Sequence, residues 1–224
     1  MRVPRHPSGL NEKVVAKVFA RRGRLHAYES LDPRKTALVV IDMMRASIEL
    51  DDGCQEIVPN INRMAECVRN AGGHVAWVTA APAKAISRGL VELVGAEHAK
   101  LFYDMAQIDD PRATLWPALD AKETDIHVMK SGASAFFPGK CALPDRLQER
   151  GIDTVLVTGT VTNVCCESSA RDAVELGYRA IMVSDAMRGY AFGLHEASLT
   201  TFYRIFGDVR PTSEILSLIV KGRS

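Results

Sequence analysis

One pattern limits the fold of this chain more than any other. Short apolar runs rich in Val, Ile and Leu alternate with amphipathic stretches that repeat at helical spacing. "TALVVID" (36–42), "HVAWVT" (74–79), "DIHVMK" (125–130), "TVLVTG" (154–159) and "RAIMVSDA" (179–186) read as strands. Helices are predicted over about residues 11–22, 57–73, 143–151, 166–177, 193–207 and 211–220. Several of these stop at a glycine, as at Gly72, Gly151 and Gly177. Strands apolar on both faces and separated by helices call for a mostly parallel sheet covered on both sides, a three-layer, doubly wound α/β fold. The stretch 83–120 is less regular: "ISRGLVELVGAEHA" has helical character, and Pro111 and Pro117 break the residues after it. No repeat, low-complexity tract or linker divides the chain. It is read as one domain over residues 1–224, with residues 1–30 as an N-terminal helical arm. The arm's stripe of Val14, Val15, Val18 and Phe19 has either its own domain or another subunit to pack on.

Composition narrows the partners. With 28 basic and 27 acidic side chains the formal net charge is +1, which gives no electrostatic footprint for nucleic acid or an acidic membrane. No run reaches the roughly 18 apolar residues of a membrane span, and the N-terminus lacks a signal-peptide core. Five cysteines, an odd number, do not form a disulfide framework, so a cytoplasmic location is expected. The six histidines are scattered and none makes a close pair at metal-ligand spacing.

In an open parallel sheet, ligands bind beyond the carboxyl ends of the strands. Asp42 ends the first strand, Lys130 the third, and Cys165 follows the fourth after a short turn, which puts all three on that edge. The chemistry is coherent. A thiolate is a nucleophile, and a helix N-terminus and a nearby Lys⁺ favour it. An aspartate can take the thiol proton and return it to a leaving group. The same residues also have ordinary readings: a helix cap for Asp42, a solvated surface for Lys130, core filler for a cysteine.

"ALVVIDM", "KSGASAF" and "TGTVTNVCCESSARDAVELGY" resemble, in this order, the three signature regions of the isochorismatase-like cysteine hydrolase superfamily, over roughly residues 36–190. The resemblance implies that family's Rossmann-type topology and an Asp42, Lys130, Cys165 catalytic set with Cys165 as nucleophile. Cys166, about 100° further round the helix, then points into packing. It also implies oxyanion donors in the backbone N–H groups of Val161 and Cys165, a cis peptide between Thr160 and Val161, and a substrate pocket that includes Met44, Phe136, Thr160 and Thr162. Relatives are generally dimers or tetramers, so a homo-oligomer acting on a small molecule is expected.

Two departures refine the expectation. After Asp42 the chain reads "MMRASIEL", so Met44 and Arg45 stand where the family usually has other residues. After the second strand "TAAPAKAISRG" lacks the Asp/His metal cluster of nicotinamidases, so no catalytic metal and no cofactor are predicted. Retention of Cys165 points to the amidohydrolase branch, typified by N-carbamoylsarcosine, ureidoacrylate and biuret hydrolases. The expected reaction is cleavage of a C–N bond in a small linear amide, carbamoyl or ureido compound through a thioester. The alternatives are vinyl ether hydrolysis of the isochorismatase type, which needs no cysteine, and a catalytically silent binding module. Arg45, Lys84, Arg88 and Arg188 are candidates for an acid-binding group, and Tyr103 and Trp116 lie in a segment suited to a pocket lid.

Overall fold

The structure, a computed structural model, describes residues 6–222. The first five residues of the expected arm and the last two of the chain lie outside that range. Among the described residues six strands form one sheet in the order β3-β2-β1-β4-β5-β6, and every neighbouring pair is parallel. They are β1 (Thr36–Ile41), β2 (His74–Ala80), β3 (Ile126–Lys130), β4 (Thr154–Thr160), β5 (Arg179–Arg188) and β6 (Asp208–Arg210). The expected sheet is therefore wholly parallel here. Its unpredicted member is β6, three residues long and two of them charged, too short to show any alternation.

The nine α-helices of the described residues are α1 (Glu12–Arg22), α2 (Arg45–Leu50), α3 (Val58–Asn70), α4 (Arg88–Val94), α5 (Ala96–Met105), α6 (Leu143–Gln148), α7 (Glu167–Glu175), α8 (Phe192–Ile205) and α9 (Thr212–Lys221). The irregular segment after β2 resolves into α4 and α5, split at Gly95, whose φ of 83° no other residue type adopts cheaply. The short α2 went unpredicted because six residues carry too little periodicity to read.

Alternation along each strand sends side chains to two separate cores. Ala37, Val39, Ile41, Val155 and Val157 face a cluster with Val15 and Val18 of α1, Leu143 and Leu147 of α6, Ala170 and Ala173 of α7, and Leu199 and Phe202 of α8. Leu38, Val40, Trp77 and Leu156 face the other, with Ile61, Met64, Ala65 and Val68 of α3 and Ile215 and Ile219 of α9. The apolar stripe of α1 thus packs on its own chain. The N-terminus of α1 is held by Asn11, whose side chain accepts from the N–H groups of Lys13 and Val14.

The strand order reverses between β1 and β4, where crossover connections leave in opposite directions. Such a switch point opens a crevice at the carboxyl ends of the two strands. Gly159 sets how closely they meet. It pairs with Ile41 at φ 105°, and a Cβ placed there would stand 2.1 Å from the Ile41 carbonyl oxygen.

Candidate active site

The crevice gathers its reactive groups from three strand ends. Asp42 follows β1 in the left-handed region, at φ 51°, which Asp tolerates better than most residues. Its backbone is fixed on both sides: its N–H donates to the Val78 carbonyl at 2.9 Å, and the Ser47 hydroxyl donates to its carbonyl at 2.5 Å. Lys130, the last residue of β3, pairs in register with Ala80 at the end of β2. Its Nζ lies 2.8 Å from Asp42 Oδ2 and 3.5 Å from Cys165 Sγ. A third bond runs to the Gly132 carbonyl at 3.0 Å.

Cys165 sits in a π-helical turn, Thr162–Cys166, between β4 and α7. The turn begins at a cis peptide joining Thr160 and Val161. The Val161 carbonyl accepts from the N–H groups of Val164 and Cys166, at 3.0 and 3.2 Å, which closes it. Cys166 is completely buried, and its thiol meets the Thr158 carbonyl at 3.7 Å. The two adjacent cysteines therefore look in different directions, one to the crevice and one to the core.

Electrostatics set the resting state. Burial draws the Lys130 ammonium downward, but the Asp42 carboxylate, by its charge and its hydrogen bond, outweighs it and holds the group above the ordinary lysine range. The Cys165 thiol is pushed up to about 12, first by burial and then by the Asp42 carboxylate, against the opposing pull of Lys130. The expected lowering of this thiol is overturned. The helix end and the lysine are present, but desolvation and a neighbouring anion prevail over them. The resting site is a thiol beside a carboxylate, with the ammonium bridging the two. Asp42 Oδ1 is buried and has no protein hydrogen-bond partner, a rare condition for a carboxylate oxygen and an open position for a proton donor.

A cavity of about 190 Å³ opens over these groups. Asp42, Thr160, Val161 and Cys165 form its base, while Met44, Leu50, Ala80, Phe102 and Met105 supply an apolar wall and Ser47 and Tyr190 stand at its side. Of the expected pocket residues, Met44 and Thr160 line this space. Phe136 and Thr162 do not. The Phe136 ring is fully buried in the core, edge-on to Tyr178 at 5.6 Å between centroids. The Thr162 hydroxyl is turned towards α8, 2.8 Å from His195 Nδ1.

The segment 83–120 does contribute to the wall, but through Phe102 and Met105 of α5. Tyr103 is not among the cavity's residues, and Trp116 packs in the second core with the Arg45 guanidinium 6.0 Å from its ring. Phe102 and Met105 are three apart, a helical spacing visible in the sequence; what the sequence lacked was any sign of which way α5 turns. Leu50 and Tyr190 were missed for the same reason. Among the described residues no group of three or more His, Cys, Asp or Glu side chains is placed to hold a metal ion, and no helix is long and apolar enough to cross a membrane.

The strand order, the switch-point crevice and the buried Asp–Lys–Cys cluster define an open α/β protein with a thiol in that crevice. The isochorismatase domain family matches residues 36–214, and the chain belongs to this family of hydrolases. It is 31% identical over 193 residues to an uncharacterized isochorismatase family protein of Bacillus subtilis, covering 85% of this chain and 97% of the relative. Ureidoacrylate amidohydrolase of Agrobacterium fabrum is 28% identical over 222 residues, covering 85% of this chain and 92% of that protein. Among solved structures, a cysteine hydrolase from Pseudomonas syringae superposes with a TM-score of 0.73 at 29% identity, covering 89% of this chain and 99% of that one.

Proposed function

We propose that the protein is a thiol-dependent hydrolase of a C–N bond in a small amide, carbamoyl or ureido compound. The observation that carries the reading is that Asp42 and Cys165 line the base of one cavity and share the buried Lys130 ammonium, 2.8 Å from the first and 3.5 Å from the second. The similarity to an ureidoacrylate amidohydrolase supports the choice of bond.

A thiol held up to about 12 does not wait as a thiolate, so its proton leaves as the carbon–sulfur bond forms. Asp42 accepts that proton while Sγ attacks the substrate carbonyl carbon. The carbonyl electrons move to oxygen, and the backbone N–H groups of Val161 and Cys165 receive the oxyanion. One such donor typically lowers a barrier by about 3–4 kcal/mol. Collapse of the intermediate breaks the C–N bond, and the leaving nitrogen takes the proton back from Asp42. Water, deprotonated by Asp42, then attacks the thioester, and Sγ departs with that proton. Lys130 stays an ammonium throughout; it compensates the charge that passes between Asp42 and sulfur and holds the two in register.

The test is ammonia release from a panel of small amides, ureides and carbamoyl compounds, with Cys165→Ala measured in parallel. Loss of release in the variant, with its circular dichroism unchanged, is the expected result. Hydrolysis that survives Cys165→Ala sinks the thiol mechanism and favours ether hydrolysis of the isochorismatase type, which has no need of the sulfur.

A further inference from the structure

Resting on the amide-hydrolase reading, we propose that the substrate is an uncharged amide with a compact apolar body, a single ring or a short branched chain, and not a carboxylate-bearing ureido or carbamoyl acid. The juxtaposition that carries this is a base of Asp42 and Cys165 flanked by Met44, Leu50, Phe102 and Met105, in a cleft where, among the described residues, Asp42 is the one charged lining side chain.

An acid-bearing substrate would need a cation in that wall, because a carboxylate moved out of water without a partner is strongly disfavoured. Each basic side chain in a position to serve is engaged elsewhere or stands outside. The Arg45 guanidinium lies over Trp116. Arg88 bonds to Glu92 at 2.7 Å on the exposed face of α4. Arg188 is tied to Asp51 at 3.1 Å and to Glu56 at 3.4 Å. Lys84 is exposed and does not line the cavity. Lys130 is buried and bonded to Asp42, Cys165 and the Gly132 carbonyl.

The wall is also held in place. The Ala80 N–H donates to Met44 Sδ at 3.4 Å, which anchors the thioether against the end of β2. A dry apolar cavity of about 150 Å³ accommodates benzene, so the 190 Å³ here suits one ring or about four to six carbons beside the reacting carboxamide.

Two reagents of nearly equal size and opposite suitability test the charge rule without requiring turnover. Iodoacetamide and iodoacetate alkylate the same sulfur, and the rate at Cys165 is read from its peptide by mass spectrometry beside a small free thiol. The expected preference for iodoacetamide exceeds that of the free thiol at least tenfold. A preference equal to or below the free thiol's overturns the proposal. Leu50→Arg adds a cation to a half-exposed wall position, and it should move the ratio at least threefold towards iodoacetate. No movement would mean that the wall's charge is not the cause, which also overturns it. In turnover, butyramide should exceed succinamate at least tenfold in kcat/KM. A preference for succinamate that Cys165→Ala abolishes refutes the substrate class while leaving the thiol chemistry intact, so the two readings fail separately.

Discussion

At the scale of single residues, Asp42 holds the decisive position in the proposed mechanism, in which the carboxylate that raises the thiol also takes its proton. Asp42→Asn is the discriminating change: Asn adopts the left-handed backbone at φ 51° as readily as Asp, so the turn survives while the base is lost. Turnover should fall by about 10²–10⁴-fold. The alkylation rate of Cys165 at a fixed pH should move the other way and rise. The sign follows from the charge. Asp42 disfavours the thiolate, so its removal brings the ionisation down from about 12 while Lys130 still favours it. Iodoacetamide labelling across pH 7–11 checks this, and a variant that loses both turnover and labelling would point to local collapse instead. Burial first, and Asp42 second, explain why the sequence alone misjudges the thiol. A cysteine near a helix N-terminus beside a lysine is a correct local description, but burial and an anion arriving from another strand reverse the outcome.

At the scale of secondary-structure elements, the site depends on how closely β1 and β4 approach at the switch point. Gly159 is the residue that permits it. In Gly159→Ala the new methyl would overlap the Ile41 carbonyl at a φ of 105°. The expected cost is at least about 3 kcal/mol, seen as a urea midpoint at least about 1 M lower. A midpoint within experimental error of the wild type would mean that the two strands tolerate separation. The elements were legible in proportion to their length. Five strands stand out as continuous apolar runs and the longer helices by their periodicity; α3, for example, buries Ile61, Met64, Ala65 and Val68 as its spacing predicts. The short α2 and β6 do not, although α2 delivers Leu50 and Ser47 to the cavity.

At the scale of the whole molecule, the segment after α1 is tied to the far end of the chain through a buried polar cluster. His26 lies 3.1 Å from Asp208 and 3.2 Å from Glu214, Asp208 accepts from the N–H groups of Ala27 and Tyr28, and the Tyr203 hydroxyl donates to the Leu25 carbonyl at 2.6 Å. His6 packs edge-on against His26 and Tyr203. Burial first, and His26 next, lower His6 to about 4. A histidine depressed in the folded state makes stability fall as pH drops. Below about 6.5 the unfolded chain takes up a proton that the folded chain refuses until about pH 4. The melting temperature should therefore decline between pH 6.5 and 4. His6→Phe, which keeps a ring against Tyr203, should flatten that limb; an unchanged slope in the variant would assign the decline to other groups.

The layered α/β architecture, and the sheet edge on which Asp42, Lys130 and Cys165 meet, follow from the order of apolar runs and amphipathic stretches along the chain. Strand and helix periods are local, and in a parallel sheet every strand's carboxyl end lies on one side. Which face each neighbouring segment turns inward is set by packing between elements distant in the chain. The tertiary structure withdrew Phe136 and Thr162 from the cavity, brought Phe102, Met105 and Tyr190 to it, engaged the nearby arginines elsewhere, and raised a thiol that a helix N-terminus and a lysine alone would have lowered. Burial and charge act through space, between residues that the chain order holds far apart.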